Sequence, residues 1–491
     1  MIDETGSQLF QGSSYQHLFL QIDGTRSIMD VINTIGDLGA QAACLMTIDR
    51  LLADGYLQEQ TSSTPKASYL QPDFNALPER MLSSVEGLEL TILSQSAPPE
   101  LWVEWAETLK ISHLTGLVIV DDYLDPRLEA INRTYREQGR SWLLFKPTGH
   151  QPLLGPYFIR TERETPCWHC LAARLRLNQP VRYWLQNTPE PQLLPLPIHY
   201  DRESVTRVLA TATALAQQLL DHQRPSRLWS FDLADGSSVE HAVNHRPQCP
   251  ACGNPDLFTQ KSAARLSLAA LAPSPKSRSR DGGYRSRIPE QTVAALAPET
   301  SVLTGIVHDV SELPQQPNAG VTTCRSSFFT TPRSKARLEQ NDFLKISLGK
   351  GISKEQSKAS ALCESVERHA AQYQGDEPQR LAQASQLDAR AVLPSELAPF
   401  STRQYEQFRD SNPMFHIARQ AVEPHDPNTP LHWTLGHSLT RDEPVYVPLA
   451  YCYASTPFED ERYIRWNSNG CAAGNTLAEA VLQGFLEGSL R

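Results

Sequence analysis

Residues 347–374 read SLGKGISKEQSKASALCESVERHAAQYQ, a glycine-flanked lysine leading into a helical stretch over 354–374. The opening is not a P-loop. No Gly lies five residues before Gly349, and Gly351 stands where a Ser or Thr would follow the Lys. On the helix, Ser360, Glu364, Glu367 and Arg368 fall within an arc of about 100°. Ala359, Leu362, Cys363 and Val366 lie largely elsewhere and can pack. One reading is a solvated face with a Glu364–Arg368 pair at i,i+4, worth about 0.2–0.5 kcal/mol. The other is a ligand-binding face.

The C-terminus repeats the pattern. Asn467-Ser468-Asn469-Gly470 predicts a turn, and Gly474-Asn475-Thr476 leads into a second helix. Thr476 and Glu479 suit a capping box. Glu479, Gln483 and Glu487 then form a polar stripe opposite Leu477, Val481 and Phe485. Two helices with aligned carboxylates can face one cleft and hold Mg²⁺ against phosphate oxygens, with Arg and Lys taking the remaining charge.

Outward from these helices, the chain divides into segments. At 491 residues it is too long for one core. Residues 1–80 predict a small α/β unit, with a strand at Leu18–Ile22, a turn at Asp23-Gly24, and a helix capped by Ser27 that carries Ile28, Val31, Ile32 and Ile35. A second helix carries Leu45, Ile48, Leu51 and Leu52 and ends at Gly55. Residues 81–262 predict a doubly wound α/β domain: an apolar strand at Leu117–Val120, a helix at Arg127–Gly139 and a strand at Trp142–Phe145. No G-x-G-x-x-G follows an early strand there. Residues 263–288, rich in Ser, Pro, Gly and Arg, predict a mobile linker whose arginines could touch phosphate. Residues 289–491 alternate strand-like pieces (Thr304–Val307, Tyr446–Leu449) with long helices. The overall expectation is a multidomain α/β and α+β protein.

Composition narrows the function. The net charge of −10 argues against a nucleic-acid partner. No run of about 18 apolar residues spans a membrane, and the N-terminus lacks the pattern of a secretory signal. Nine cysteines then read as cytoplasmic thiols or metal ligands. Cys167-Trp168-His169-Cys170 and Cys249-Pro250-Ala251-Cys252 are two C-x-x-C knuckles, four thiolates suited to a tetrahedral structural Zn²⁺. Buried free thiols or a redox pair are the alternatives.

Three resemblances follow from these residues. The order strand, Asp-Gly, helix, helix, LLADGYL (51–57) resembles the PqqD-like, winged-helix leader-recognition domains of peptide-modifying enzymes. That implies a leader peptide added as a strand beside Leu18–Ile22 and the helix Leu45–Leu52. Residues 81–262, with their cysteines, resemble the ubiquitin-activating-enzyme-like fold without its glycine-rich ATP loop, which implies a zinc-stapled, Rossmann-like scaffold for docking.

The words around Lys350, Gln356, Ser360, Glu364, Glu367 and Arg368, then Ser468-Asn469-Gly470, Gly474-Asn475-Thr476, Glu479, Gln483, Glu487 and Arg491, resemble the YcaO family. There the resemblance implies ATP and Mg²⁺ held by the acidic helices, with Lys350 as a phosphate contact. Leu490 stands where that family carries a further Glu, and the sequence stops before its proline-rich C-terminus, so the expectation is a partial YcaO domain that is inactive alone. Together the three resemble fused cyclodehydratases of thiazole/oxazole-forming, cyanobactin-type peptide biosynthesis. The partner implied is a precursor peptide bound through its leader; a homodimer stays open. Two rivals also stay open: a non-catalytic leader-binding partner of a separate YcaO protein, and a YcaO enzyme making thioamides or amidines.

Overall fold

A computed structural model describes residues 10, 12–22, 25–54, 56–57, 68–70, 81–85, 88–109, 114–159, 165–186, 196, 198–221, 226–233, 236–263, 271, 275–277, 281, 283–314, 320–331, 340–410 and 423–489. The Asp23-Gly24 turn, Gly55, Leu490 and Arg491 lie outside the described residues.

The chain opens with α1 (Ser13–Gln21), α2 (Ile28–Asn33) and α3 (Leu38–Ala53). The strand expected at Leu18–Ile22 is therefore helix. Leu18, Leu20 and Ile22 alternate, but Tyr15, Leu18, Phe19 and Ile22 also recur at i, i+3, i+4 and i+7, and that period wins. Leu18 is fully buried while Leu20 is 76% exposed, a difference that strand alternation does not produce. Ser27 and Asp30 form a reciprocal capping box on α2, and Asp37 caps α3. Leu18, Val31, Ile32, Cys44 and Ile48 make the small core.

The middle of the chain runs β1 (Ser68–Leu70), β2 (Met81–Val85), β3 (Leu88–Ile92), α4 (Pro99–Thr108), β4 (Gly116–Ile119), α5 (Arg127–Glu137), β5 (Trp142–Lys146), β6 (Leu153–Phe158), α6 (Trp168–Asn178), α7 (Pro180–Gln186), β7 (Ile198–Tyr200), α8 (Arg202–Asp221), β8 (Arg227–Phe231), β9 (Ser238–Ala242) and α9 (Leu257–Ala263). One seven-stranded sheet has the order β2-β3-β4-β5-β6-β8-β9. In this sheet only β3, β4 and β5 are mutually parallel, and the remaining pairings are antiparallel, so parallel pairing is confined to its centre. The apolar run in β4 is explained by burial on both faces. Leu117 and Ile119 pack toward α4 and α8, Val118 and Val120 toward α5 and α6. β1 pairs with β7, so the expected boundary at residue 80 is crossed by backbone hydrogen bonds.

The last part holds α10 (Pro289–Leu296), β10 (Asp309–Glu312), β11 (Thr322–Phe329), α11 (Gln340–Phe343), β12 (Leu344–Gly351), α12 (Lys354–Ala370), β13 (Arg380–Ala382), β14 (Arg390–Ala391), α13 (Pro394–Leu397), α14 (Thr402–Asp410), β15 (Leu431–Ser438), β16 (Glu443–Pro448), α15 (Leu449–Cys452) and α16 (Leu477–Ser489). Thr304–Val307 is not a strand but part of a closed turn. Gly305 N donates to Ser301 O and Val307 N to Glu299 O, and a side chain at 305 would collide with backbone atoms at 2.3–2.7 Å. The sheet β10-β11-β12 carries α12 on one face, and a second sheet runs β13-β15-β16-β14. Gly349 and Gly351 let α12 approach: a Cβ on Gly349 would lie 2.1 Å from Ser357 O. Among the described residues, no helix is long and apolar enough to cross a membrane.

Candidate functional site

α12 begins at Ser353, whose hydroxyl accepts from Gln356 N. The Asp281 carboxylate in turn accepts from Ser353 N at 2.7 Å and Ser353 Oγ at 3.2 Å. The end of the stretch expected as a linker is likewise bonded. Ser286 N donates to Glu479 Oε1, and Arg285 Nη2 donates to Gln483 Oε1 at 3.1 Å. This strap ties the start of α12 to α16. Between them lies a cleft lined by Asp281, Arg285 and Arg287 of the strap, Thr292 of α10, Gln356, Ser360 and Cys363 of α12, and Asn475 and Glu479 at the start of α16. Ser360 and Glu479 were expected in such a cleft. Asp281, Arg287, Thr292 and Cys363 were not singled out as ligands; the signal for the arginines was a basic run directly before a proline-initiated helix.

Deeper along α12, Arg368 pairs with Glu364 at 3.4 Å and with Glu367 at 3.5 Å, and its guanidinium lies 5.8 Å from the Trp466 ring. Glu367 has its carboxyl pushed up to about 7, chiefly by burial and further by the charges of Glu487 and Glu364, with Arg368 and a backbone bond from Ala473 opposing. Glu487 of α16 is thus close enough for its charge to act on Glu367 of α12. Burial pushes Glu479 up as well, but hydrogen bonds from Ser286 and Asn475 outweigh it and hold the carboxyl below its ordinary value. The excess negative charge at Glu367 suits a cation, although among the described residues the carboxylates of α12 and α16 do not themselves form a group of three or more poised on one ion. Gln483 is half-buried and bonded to Arg285. Lys350 lies apart from the cleft. Gly349 and Gly351 face α12, so alternation sends Lys350 to the exposed opposite face of the sheet.

The four knuckle cysteines converge elsewhere, with all four sulfurs within 4.8 Å of one another. Cys167 and Cys249 are 3.7 Å apart and Cys170 and Cys252 3.4 Å. A tetrahedral ion with Zn–S of about 2.3 Å spaces its sulfurs at about 3.8 Å, so the donor set fits one ion. Cys167 caps α6, and Cys170 sits in its first turn. Gly253 N donates to Cys249 O at 2.8 Å, and a Cβ there would lie 2.2 Å from Pro247 O, so the second knuckle needs its glycine. The four thiols share hydrogen bonds, which draw Cys170 and Cys249 down and push Cys167 and Cys252 up.

Against known proteins, the chain is 27% identical to a heterocyclase solved in complex with substrate and cofactor, with a TM-score of 0.69, covering 99% of this chain and 67% of that one. It is 26% identical to the heterocyclase TruD, with a TM-score of 0.59, covering 99% of this chain and 65% of that one. The chain thus spans about two thirds of the length of these heterocyclases. Nothing matches among the curated proteins. Residues 348–488, the stretch that holds both carboxylate helices, match the family described as YcaO cyclodehydratase, ATP- and Mg²⁺-binding.

Proposed function

We propose that this protein binds ATP and Mg²⁺ in the cleft between α12 and α16 and serves ATP-dependent cyclodehydration of Cys, and also Ser or Thr, in a ribosomally made precursor peptide of the cyanobactin type. The observation that carries this reading is the pairing of two carboxylate helices across an arginine-lined cleft, within sequence that matches the YcaO family. Glu364, Glu367, Glu479, Gln483 and Glu487 are the residues to hold Mg²⁺, which would neutralise phosphate charge. Arg285, Arg287 and Arg368 supply positive charge, and Ser360 a hydroxyl. The nucleophile belongs to the peptide: its thiol or hydroxyl gives up its proton and adds to the preceding amide carbon, closing the ring. The former amide oxygen takes the γ-phosphoryl group of ATP, releasing ADP. Phosphate then leaves as the ring nitrogen loses its proton and the azoline C=N bond forms. The protein's part is to orient these groups and stabilise phosphoryl charge.

The cysteine cluster is assigned to one structural Zn²⁺. Leader recognition is assigned to the N-terminal unit, now through the outward Leu20, Leu38 and Met46 of α1 and α3 rather than a strand edge. The outward apolar residues of α16 favour a second reading, a leader-presenting partner of a separate YcaO protein.

The deciding experiment titrates Mg²⁺ with a non-hydrolysable ATP analogue into the wild-type chain and into Glu364→Ala and Glu367→Ala. Mass spectrometry of a precursor peptide, looking for loss of one water per ring, follows. Nucleotide binding lost in both variants with leader binding intact is expected. Full binding in both would leave only the solvated-face reading.

A further inference from the structure

The two chain segments that carry the cysteine pairs also grip the turn that follows α10, a helix bordering the cleft. In α6, Cys167 and Cys170 lie at the first turn, and Arg174 and Asn178 follow along the same helix. Arg174 Nη2 pairs with Glu299 at 3.1 Å, with both side chains largely buried. Asn178 Nδ2 donates to Leu303 O at 3.1 Å and Gly305 O at 3.0 Å. The segment running into the second knuckle grips the same turn from the other side. Asn244 Nδ2 donates to Glu299 Oε1 at 2.8 Å and Pro298 O at 3.1 Å. His241 Nδ1 meets Ser301 Oγ at 2.8 Å, and Thr304 Oγ1 donates to Ala242 O at 2.7 Å. Arg246 N, farther along, donates to Cys170 Sγ at 3.4 Å, which ties the second segment to the first at the metal cluster.

The gripped turn, residues 298–305, is stiff because its backbone closes on itself around Gly305. It continues directly back into α10, which contributes Pro289 and Thr292 to the cleft, and Thr292 Oγ1 donates to Asn475 Oδ1 at 3.0 Å at the start of α16. Forward, it leads through Val307 into β10 and the sheet under α12.

We propose that a metal ion in the Cys167–Cys170–Cys249–Cys252 cluster tunes the nucleotide cleft, with Arg174, Asn178 and Asn244 as the positioning residues that transmit its occupancy through the 298–305 turn and α10. The inference rests on the nucleotide reading above. An ion holds α6 and the 241–252 segment at a fixed spacing. Those segments present one set of donors to the turn, and the turn sets where Thr292 meets Asn475. A coupling of this kind is a shared free energy and is reciprocal: metal tightens nucleotide binding by the factor by which nucleotide tightens metal binding.

The test uses the full chain with Zn²⁺ loaded, in four forms: wild type, Arg174→Met, Asn178→Leu and the conservative Arg174→Lys. Metal content, the affinity for Mg²⁺ with a non-hydrolysable ATP analogue, the rate of zinc extraction by a chelator, and amide exchange over 289–307 are measured in each. Arg174→Met and Asn178→Leu should keep one zinc per chain, weaken nucleotide binding about tenfold, within the usual range of allosteric coupling, and speed exchange over 289–307. Arg174→Lys should restore most of both. Saturating nucleotide should slow zinc extraction in the wild type and not in the two disruptive variants. Should either variant lose its metal or its cooperative melt, Asn244→Ala, which removes only the bonds to Pro298 and Glu299, takes its place. Unchanged affinity together with nucleotide-independent zinc extraction overturns the coupling. If the wild type binds no nucleotide, the nucleotide reading fails, and exchange alone decides. Faster exchange over 289–307 on zinc removal and in the variants supports the mechanical link, and unchanged exchange refutes it.

Discussion

α12 and α16 carry carboxylates at similar spacing, yet they are held in place by opposite faces. In α12 the small and apolar residues are inside: Ser357, Ala361 and Ser365 face the sheet, Leu362 is fully buried, and Gly349 and Gly351 admit the helix backbone. Its carboxylates are left over for the cleft. In α16 the polar stripe turns inward, while Leu477 (58% exposed), Leu482 (58%) and Phe485 (69%) point out. What holds α16 is polar. Glu479 accepts from Ser286 N and Asn475 N, Gln483 accepts from Arg285, and Gly484 touches the Gly470 turn. Similar stripes of Glu and Gln therefore do not reveal which face is buried; the partner on the other side decides. One helix is anchored by packing, the other by the strap.

That contrast is most sharply tested by paired truncations. Leu362→Ala in α12 removes a fully packed side chain and should cost about 2–5 kcal/mol. Gly349→Ala should cost about 1–3 kcal/mol, because the new methyl meets backbone atoms of α12 rather than a side chain that can swing away. Denaturant unfolding measures both. If either proved neutral, α12 would not be packed as described.

A smaller effect is expected from pH. Glu367 titrates near 7 in the folded chain against 4.5 for its ordinary value, with burial the largest cause and Glu487 and Glu364 adding to it. Between those values the folded chain retains a proton that the unfolded chain releases. The stability this proton confers is complete below pH 4.5 and is lost as pH rises through 7. Thermal midpoints of ion-free protein should thus decline across this window. Glu367→Gln should flatten the decline, and Mg²⁺, which binds the ionised form, should oppose it. A slope that survives Glu367→Gln unchanged would assign the proton to another group.

Much of this arrangement was legible from residue order. The β4 run, α5, α12, the start of α16 and both cysteine knuckles sit where periodicity, caps and spacing put them. These signals are local: a stripe, a Ser or Thr cap, a C-x-x-C turn. The failures are of two physical kinds. At Leu18–Ile22 two periods coexist over five residues, and only the neighbours Tyr15 and Phe19 and the packing partners on α2 and α3 select the helix. At 283–288 the composition is that of a linker, but one backbone N–H and one guanidinium of the segment bond to residues nearly two hundred positions away. Composition is blind to such bonds. On α16 the polar stripe turns toward the cleft, as its carboxylate spacing leads one to expect, and the apolar stripe is left outward.

The smallest effect on stability should come from that outward stripe, and it tests the comparison from the opposite side. If α16 is held by its polar face, replacing Leu482 with Gln and Phe485 with Ser removes little that is packed, and unfolding free energy should stay within about 0.5 kcal/mol of wild type. Leu362→Ala, a truncation of the same residue type as Leu482 on the partner helix, should differ from it by several-fold or more. Removing the stripe should nevertheless change behaviour at high concentration. Contiguous exposed Leu and Phe side chains on one helix form an apolar patch of the sort that promotes association. Light scattering and sedimentation of the double variant should therefore show less self-association at equal stability. Substituting the strap instead, with Arg285→Ala, should loosen α16 while leaving the outward residues intact, which amide exchange over 477–489 reads directly. A large loss of stability from the Leu482→Gln, Phe485→Ser pair would mean that the apolar face is covered in the folded protein, and that α16 is anchored by packing as α12 is.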